Sequence, residues 1–148
     1  RSVLRLARWY LQPEERSLAW VSEKLTAVAA EGHEFVPLYA DSRYWLLTEA
    51  KWAQVLWVWR KFLFVTRFLF PYTVDRDCDD FSGSFKSILG WLLEINGVVD
   101  VWNRNPDQSR SRHSYNLALF PDGTYKSIEP QTGRWTEMAP IRNGILRV

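Results

Sequence analysis

Apolar residues in the first half of the chain recur at helical spacing. Leu18, Val21, Leu25 and Val28 fall on one face of a helix. Pro13-Glu14-Glu15 predicts its start, because proline is tolerated in a first turn and acids favour the positive helix end. Gly32 predicts its end. The stretch from Arg1 to Tyr10 is mixed, with helical character. His33 to Leu47 reads as loop or extended chain, interrupted by Pro37. Thr48 then caps a second helix carrying Lys51, Trp52, Val55, Leu56 and Trp59, with the tryptophan face buried. The strongly apolar run Phe62 to Phe70 stops at Pro71. From Phe81, the positions Phe85, Ile88, Leu89 and Leu92 mark another buried helix face, ending at Asn96-Gly97. Ser82, Gly83 and Ser84 near its start permit close backbone approach.

Beyond Gly97 the pattern changes to sheet. Val98 to Trp102 forms a short strand, followed by a polar loop, Asn103 to Arg112. His113 to Phe120 and Thr124 to Glu129 are two strands around Pro121-Asp122-Gly123, and Ile145 to Val148 is a last edge strand. Helices first and sheet second give an α+β fold. One domain is expected over residues 1–148, mainly helical to 96 and mainly sheet from 97.

The hairpin has a predicted register. Pro-Asp-Gly favours a type I turn with glycine left-handed, the three-residue hairpin loop. Phe120 then pairs with Thr124, Tyr115 with Glu129, and His113 with Gln131. Side chains alternate between faces, so His113, Tyr115, Glu129 and Gln131 share one face. His113 and Glu129 become diagonal neighbours within side-chain reach. A two-residue loop would put them on opposite faces.

Composition narrows the classes. An apolar content of 47% in 148 residues supports a real core. Nine tryptophans imply an aromatic core, or a core with some tryptophans left to line a groove. A net charge of +2 argues against nucleic acid as a partner. Trp57-Val58-Trp59-Arg60-Lys61-Phe62 therefore reads as an amphipathic helix with snorkelling bases rather than a base-stacking segment. The run Val55 to Phe70 is broken by Arg60, Lys61 and Arg67 and is too short to span a bilayer, so no membrane partner is expected. A single cysteine excludes an intrachain disulfide and leaves the compartment open. The chain begins at Arg1 without a signal-peptide pattern, as a piece cut from a longer protein would.

That cysteine is Cys78, in Asp77-Cys78-Asp79-Asp80-Phe81 at the start of a predicted helix. A helix N-terminus and a nearby imidazolium both favour a thiolate. His113 supplies the imidazole, and Glu129 orients it as the third member of a triad does. The backbone N–H of Cys78 can serve an oxyanion. The expected chemistry is attack on an amide or ester through an acyl-enzyme. The plainer alternatives are a cysteine acting as a small buried hydrophobe, a surface histidine and an ordinary strand-end glutamate. His33 reads as a loop residue without a role. Asp75, Asp77, Asp79 and Asp80 crowd the thiol, and a divalent cation would offset their charge. Asp79, Asp80 and Gln131 are oxygen donors of the kind calcium takes. The other reading is that the acids cap the helix dipole.

Asp77-Cys78-Asp79-Asp80-Phe81, His113-Ser114-Tyr115-Asn116 and Glu129-Pro130-Gln131 resemble motifs of a papain-like protease family. Its members include the C-terminal domain of the fairy-ring mushroom agglutinin and small phage and bacterial proteins. The resemblance spans roughly Asp75 to Gln131 and implies a papain-like fold and a calcium-dependent cysteine peptidase or amidase. It implies Cys78 as nucleophile, His113 as base, Glu129 as orienting acid, and calcium on Asp79, Asp80 and Gln131. A protein, peptide or peptidoglycan substrate would follow. The family's upstream oxyanion-hole glutamine has no close counterpart. Gln12 and Gln54 lie at other spacings, and Tyr72 is the alternative donor. Two further expectations compete with the hydrolase. One is a cell-wall amidase of the NlpC/P60 type, whose Asp-Cys-Ser-Gly motif is similar. The other is a non-catalytic, metal-stabilised binding or structural module, phage-derived and retaining the triad as a relic.

Overall fold

The computed structural model describes residues 2–67, 78–103, 113–138 and 140–148, with side chains described from Leu6 onward. Its elements run α1 (Ser2–Leu11), β1 (Glu14–Ser17), α2 (Leu18–Ala30), β2 (Phe35–Leu38), β3 (Arg43–Leu46), α3 (Glu49–Thr66), α4 (Cys78–Leu93), β4 (Val98–Asn103), β5 (His113–Leu119), β6 (Tyr125–Glu129), β7 (Arg134–Thr136) and β8 (Gly144–Arg147). Six strands form one sheet in the order β2-β8-β4-β5-β6-β7, and β1 pairs with β3 in a separate ribbon. Within the larger sheet only β2 and β8 run parallel. The fold is α+β, as expected.

Local chemistry sets the helix boundaries. Ser17 Oγ accepts from the Trp20 N–H at 3.3 Å and caps α2. Thr48 caps α3 in the same way, accepting from the Lys51 N–H at 3.4 Å. The expected helix start at Pro13 is corrected: residues 14–17 pair antiparallel with β3 instead. Glu-Glu-Arg-Ser offers no apolar side chain to a helix face, so tertiary pairing decides its state.

His33 to Leu47, expected as loop or extended chain, holds two strands. Pro37 sits in β2 at the sheet edge, where the missing N–H faces away from the only neighbour. The expected edge strand at the end of the chain is also corrected, because β8 lies between β2 and β4. Thus β1, β2 and β3 accompany the helices in the first 96 residues.

The hairpin adopts the predicted register. Asn116 pairs with Ile128 and Leu119 with Tyr125. Gly123 takes φ +90°, and Asp122 Oδ1 accepts from the Thr124 N–H at 2.9 Å and its hydroxyl at 2.7 Å.

Two apolar clusters cover the two faces of the sheet. Trp52, Trp59 and Phe85 from α3 and α4 pack on Val98, Ala118 and Phe120. Val21 and Leu25 from α2 pack on Val99, Leu117 and Leu146. The Trp59 and Phe85 rings meet edge-on at 4.9 Å, a geometry that aromatic quadrupoles favour.

Candidate functional site

Cys78 opens α4 and is buried against the start of β5. Its sulfur accepts from the Ser114 N–H at 3.3 Å. His113, the next residue back on β5, is hydrogen-bonded to the Cys78 side chain. On its other side, His113 Nε2 lies 3.1 Å from Glu129 Oε2. The structure therefore brings Cys78, His113 and Glu129 into one contact chain. The pairing of β5 with β6 places the last two residues on one face, and the packing of α4 on β5 delivers the thiol.

Both partners act on the imidazole. Its pKa is pushed up to about 10, first by the Cys78 hydrogen bond and then by Glu129, against an opposing effect of burial. Both contacts favour the imidazolium form. The His113 side chain is 47% exposed and that of Glu129 20%, so solvent reaches the group from the histidine side.

Glu129 is held from behind. Its backbone carbonyl accepts the N–H groups of Thr132 (3.2 Å) and Gly133 (2.8 Å). Its side chain accepts the Gln131 N–H at 3.4 Å. Helix α3 clamps the turn: Trp59 Nε1 donates to the Pro130 carbonyl at 2.7 Å, and Arg60 donates to the Gly133 carbonyl at 3.1 Å. Gly133 has φ +63°, and a Cβ there would lie 2.8 Å from Arg60 Cγ. Only glycine fits that approach without displacement.

Tyr115 belongs to the core. Its ring stands 5.8 Å from the His113 ring, and burial raises its phenol pKa. Trp102 lies under the Arg147 guanidinium at 4.1 Å, and Trp135 packs edge-on against Phe120.

Asp79 and Asp80 occupy the exposed first turn of α4, where their charge complements the helix dipole. Asp75, Asp77 and Tyr72 lie outside the described residues. Among the described residues, no group of three or more His, Cys, Asp or Glu side chains is placed to hold a metal. His33, expected to have no role, accepts the Ile141 N–H at its Nδ1 at 3.1 Å and ties the end of α2 to the segment before β8.

A polar group one turn along α4 escaped the sequence analysis. Asp100 is 1% exposed, accepts from the Ser82 hydroxyl at 2.7 Å, and pairs with Arg147. Asn116 Nδ2 donates to the Ser82 carbonyl at 3.1 Å. Lys86 donates to the Val98 carbonyl at 2.7 Å, and burial lowers its pKa to about 8, with Asp100 and Asp41 opposing. The available signal was the acid inside Val98-Val99-Asp100-Val101, since an unpaired charge is not tolerated in such a strand.

No family model matches the chain, and no curated protein sequence gives a significant match. Solved structures do. One is described as "PSL1a-E64 complex", with TM-score 0.64 and 22% identity over 88% of this chain and 51% of its own. Another is Polyporus squamosus lectin bound to the human-type influenza-binding epitope Neu5Acα2-6Galβ1-4GlcNAc, with TM-score 0.60 and 24% identity over 88% of this chain and 49% of its own. The present chain thus spans about half the length of either. At this identity the likeness shows the fold alone.

These matches correct the family expectation. The resemblance to a papain-like protease, the calcium-assisted cysteine hydrolase it implied and its peptidase or amidase activity are replaced by a likeness to a sugar-binding lectin. The NlpC/P60-like and phage-derived, metal-stabilised alternatives find no support among the matches either. The physical reason is that three motifs in a plausible order specify a contact, which forms, but not a reaction. Among the described residues, no helix is long and apolar enough to cross a membrane.

Proposed function

We propose that this chain is a ligand-binding domain of a lectin-type protein, with its ligand seated where Cys78, His113 and Glu129 meet. The observation that carries the proposal is that contact chain, set in a fold shared with a lectin over 88% of the chain. The half-exposed imidazole, in its protonated form, offers a charged donor to solvent, and charge-assisted hydrogen bonds are the strong ones in polar recognition.

The ligand class proposed first is a glycan, following the sialylated epitope of the lectin neighbour. That neighbour has another half without a counterpart here, so this domain's share in sugar recognition needs its own test. A second reading rests on the neighbour complexed with E64. A thiol held against a protonated imidazole favours a small-molecule ligand that engages sulfur. Both readings are testable on one sample. The sialylated trisaccharide is titrated calorimetrically, and intact mass is recorded after incubation with E64, for the native chain and for Cys78→Ser and His113→Gln. Heat of binding lost in His113→Gln supports the glycan at this site. A mass increase lost in Cys78→Ser supports the second reading. The absence of both heat and mass increase would contradict a ligand site here. Calcium on Asp79, Asp80 and Gln131 is a separate proposal, checked by repeating the titration with calcium alone.

A further inference from the structure

Apolar surface is not spread evenly over this molecule. Of eleven large hydrophobic side chains exposed among the described residues, three lie on α1, five on α3 and one on α4. Trp9, Trp57, Phe64 and Trp91 are each more than half exposed. Helix α3 buries Trp52, Val55, Leu56 and Trp59, yet its outer side carries Trp57, Val58, Phe62, Phe64 and Val65. A helix that is apolar all round is normally covered all round. Between α1, α3 and α4 runs a groove of about 500 Å³ with almost wholly apolar walls, continuous with that outer side.

The charge of the same helices says what covers them. Across Ser2–Leu11, residues 49–67 and Cys78–Leu93 the sequence holds seven bases, Arg5, Arg8, Lys51, Arg60, Lys61, Arg67 and Lys86, against three acids, Glu49, Asp79 and Asp80. Glu49 is already paired with Lys126 and Arg8 with Glu94, while Asp79 and Asp80 lie in the first turn of α4, which also carries Cys78. Several bases stand directly over the aromatics: Lys51 over Tyr10 at 4.3 Å, Lys61 over Trp57 at 5.5 Å and Arg67 over Phe64 at 4.3 Å. Tryptophan and tyrosine with neighbouring Lys and Arg, beside phenyl and aliphatic side chains, match the layers of a lipid interface. A second copy would bring the same basic helices against one another, and that like-charge contact opposes self-pairing.

We infer that the α1–α3–α4 face docks this protein on an anionic lipid surface. Trp57, Phe62 and Phe64 enter the acyl boundary, and the bases meet the headgroups. Docking is peripheral, since no helix among the described residues can span a bilayer. It departs from the expectation of no membrane partner, which weighed spanning only.

The test is co-sedimentation of the intact chain with phosphatidylcholine vesicles, with and without phosphatidylserine. It is run on the native protein, on Lys61→Glu/Arg67→Glu, and on Trp57→Ser/Phe64→Ser. Thermal unfolding of each variant shows that these exposed changes leave the fold intact. The expected result is binding to the phosphatidylserine vesicles only, weakened roughly tenfold or more by the charge reversal and by added salt, and lost in the apolar double variant. Several results would overturn the inference: no sedimentation with either vesicle, equal sedimentation with both, or indifference to both double variants. So would a concentration-dependent dimer that the apolar variant abolishes, because the face would then belong to a second copy.

Discussion

Helix α4 has two flanks built on opposite principles. One flank turns Ser82 toward Asp100 and Asn116 and, at its head, Cys78 toward His113. The other turns Phe85, Ile88 and Leu89 toward α1 and α3 and ends in Trp91, which is 84% exposed. On the polar flank each group depends on a particular partner, and loss of one leaves another unsatisfied in a low-dielectric site. On the apolar flank any side chain of suitable volume serves, so energy there follows burial. Specific recognition fits the first flank, and broad adhesion fits the second.

The sharpest contrast lies within the apolar flank. Phe85 is fully buried between Trp52 and Trp59. Phe85→Ala is expected to cost about 3–5 kcal/mol in urea unfolding, and Trp91→Ala less than about 0.5 kcal/mol. Similar losses would mean that Trp91 is covered and that burial does not separate the two positions.

On the polar flank, Arg147→Ala leaves the buried Asp100 with Ser82 as its remaining side-chain partner. The expected loss is about 2 kcal/mol, below that of a fully buried pair because Arg147 is itself 43% exposed. Asp100→Asn keeps the shape and is expected to lose less. A neutral Arg147→Ala would show that the network contributes little.

Gly133→Ala tests how α3 supports the turn that holds Glu129. Left-handed strain and the close approach to Arg60 predict a loss of about 1–2 kcal/mol. Because Glu129 would shift, the His113 titration seen by NMR is expected to fall back toward its ordinary range. An unchanged titration would separate the turn from the site.

A smaller effect than that of Gly133→Ala is expected in pH. The His113 pKa is raised above its unfolded value of about 6.5 to about 10. The stabilisation it brings is full below about pH 6.5 and is lost as pH rises through about 10. Solvent screening of the half-exposed ring holds the difference to about 1 kcal/mol. Lys86, with its pKa lowered to about 8, has the opposite sign, gaining stability as pH rises from about 8 toward its unfolded value. The measurement is therefore the difference between the native chain and His113→Gln across that range. A difference that does not shrink with rising pH would contradict the pairing.

Much of this was legible in the chain. Thr48 and its following tryptophans announced α3, and Pro121-Asp122-Gly123 fixed the register that sets His113 beside Glu129. Both depend on residues close in sequence. The Asp100–Arg147 pair was hidden, because it needs β8 inserted between β2 and β4, a long-range outcome that no local pattern encodes. Residues 14–17 misled for the same reason, since their state is decided by β3. The site was legible as a constellation but not as an activity. The thiol, imidazole and carboxylate came together as expected, while the hydrolase they suggested gave way to a lectin's fold.

The most direct test of the central claim, that Cys78, His113 and Glu129 act as one ligand-engaging unit, is the rate of Cys78 alkylation by iodoacetamide, read by intact mass between about pH 5 and about pH 9. The account predicts labelling of the native chain that persists at the acid end and is slowed by His113→Gln and, less strongly, by Glu129→Gln. Labelling that tracks an ordinary thiol and is indifferent to both substitutions would contradict it.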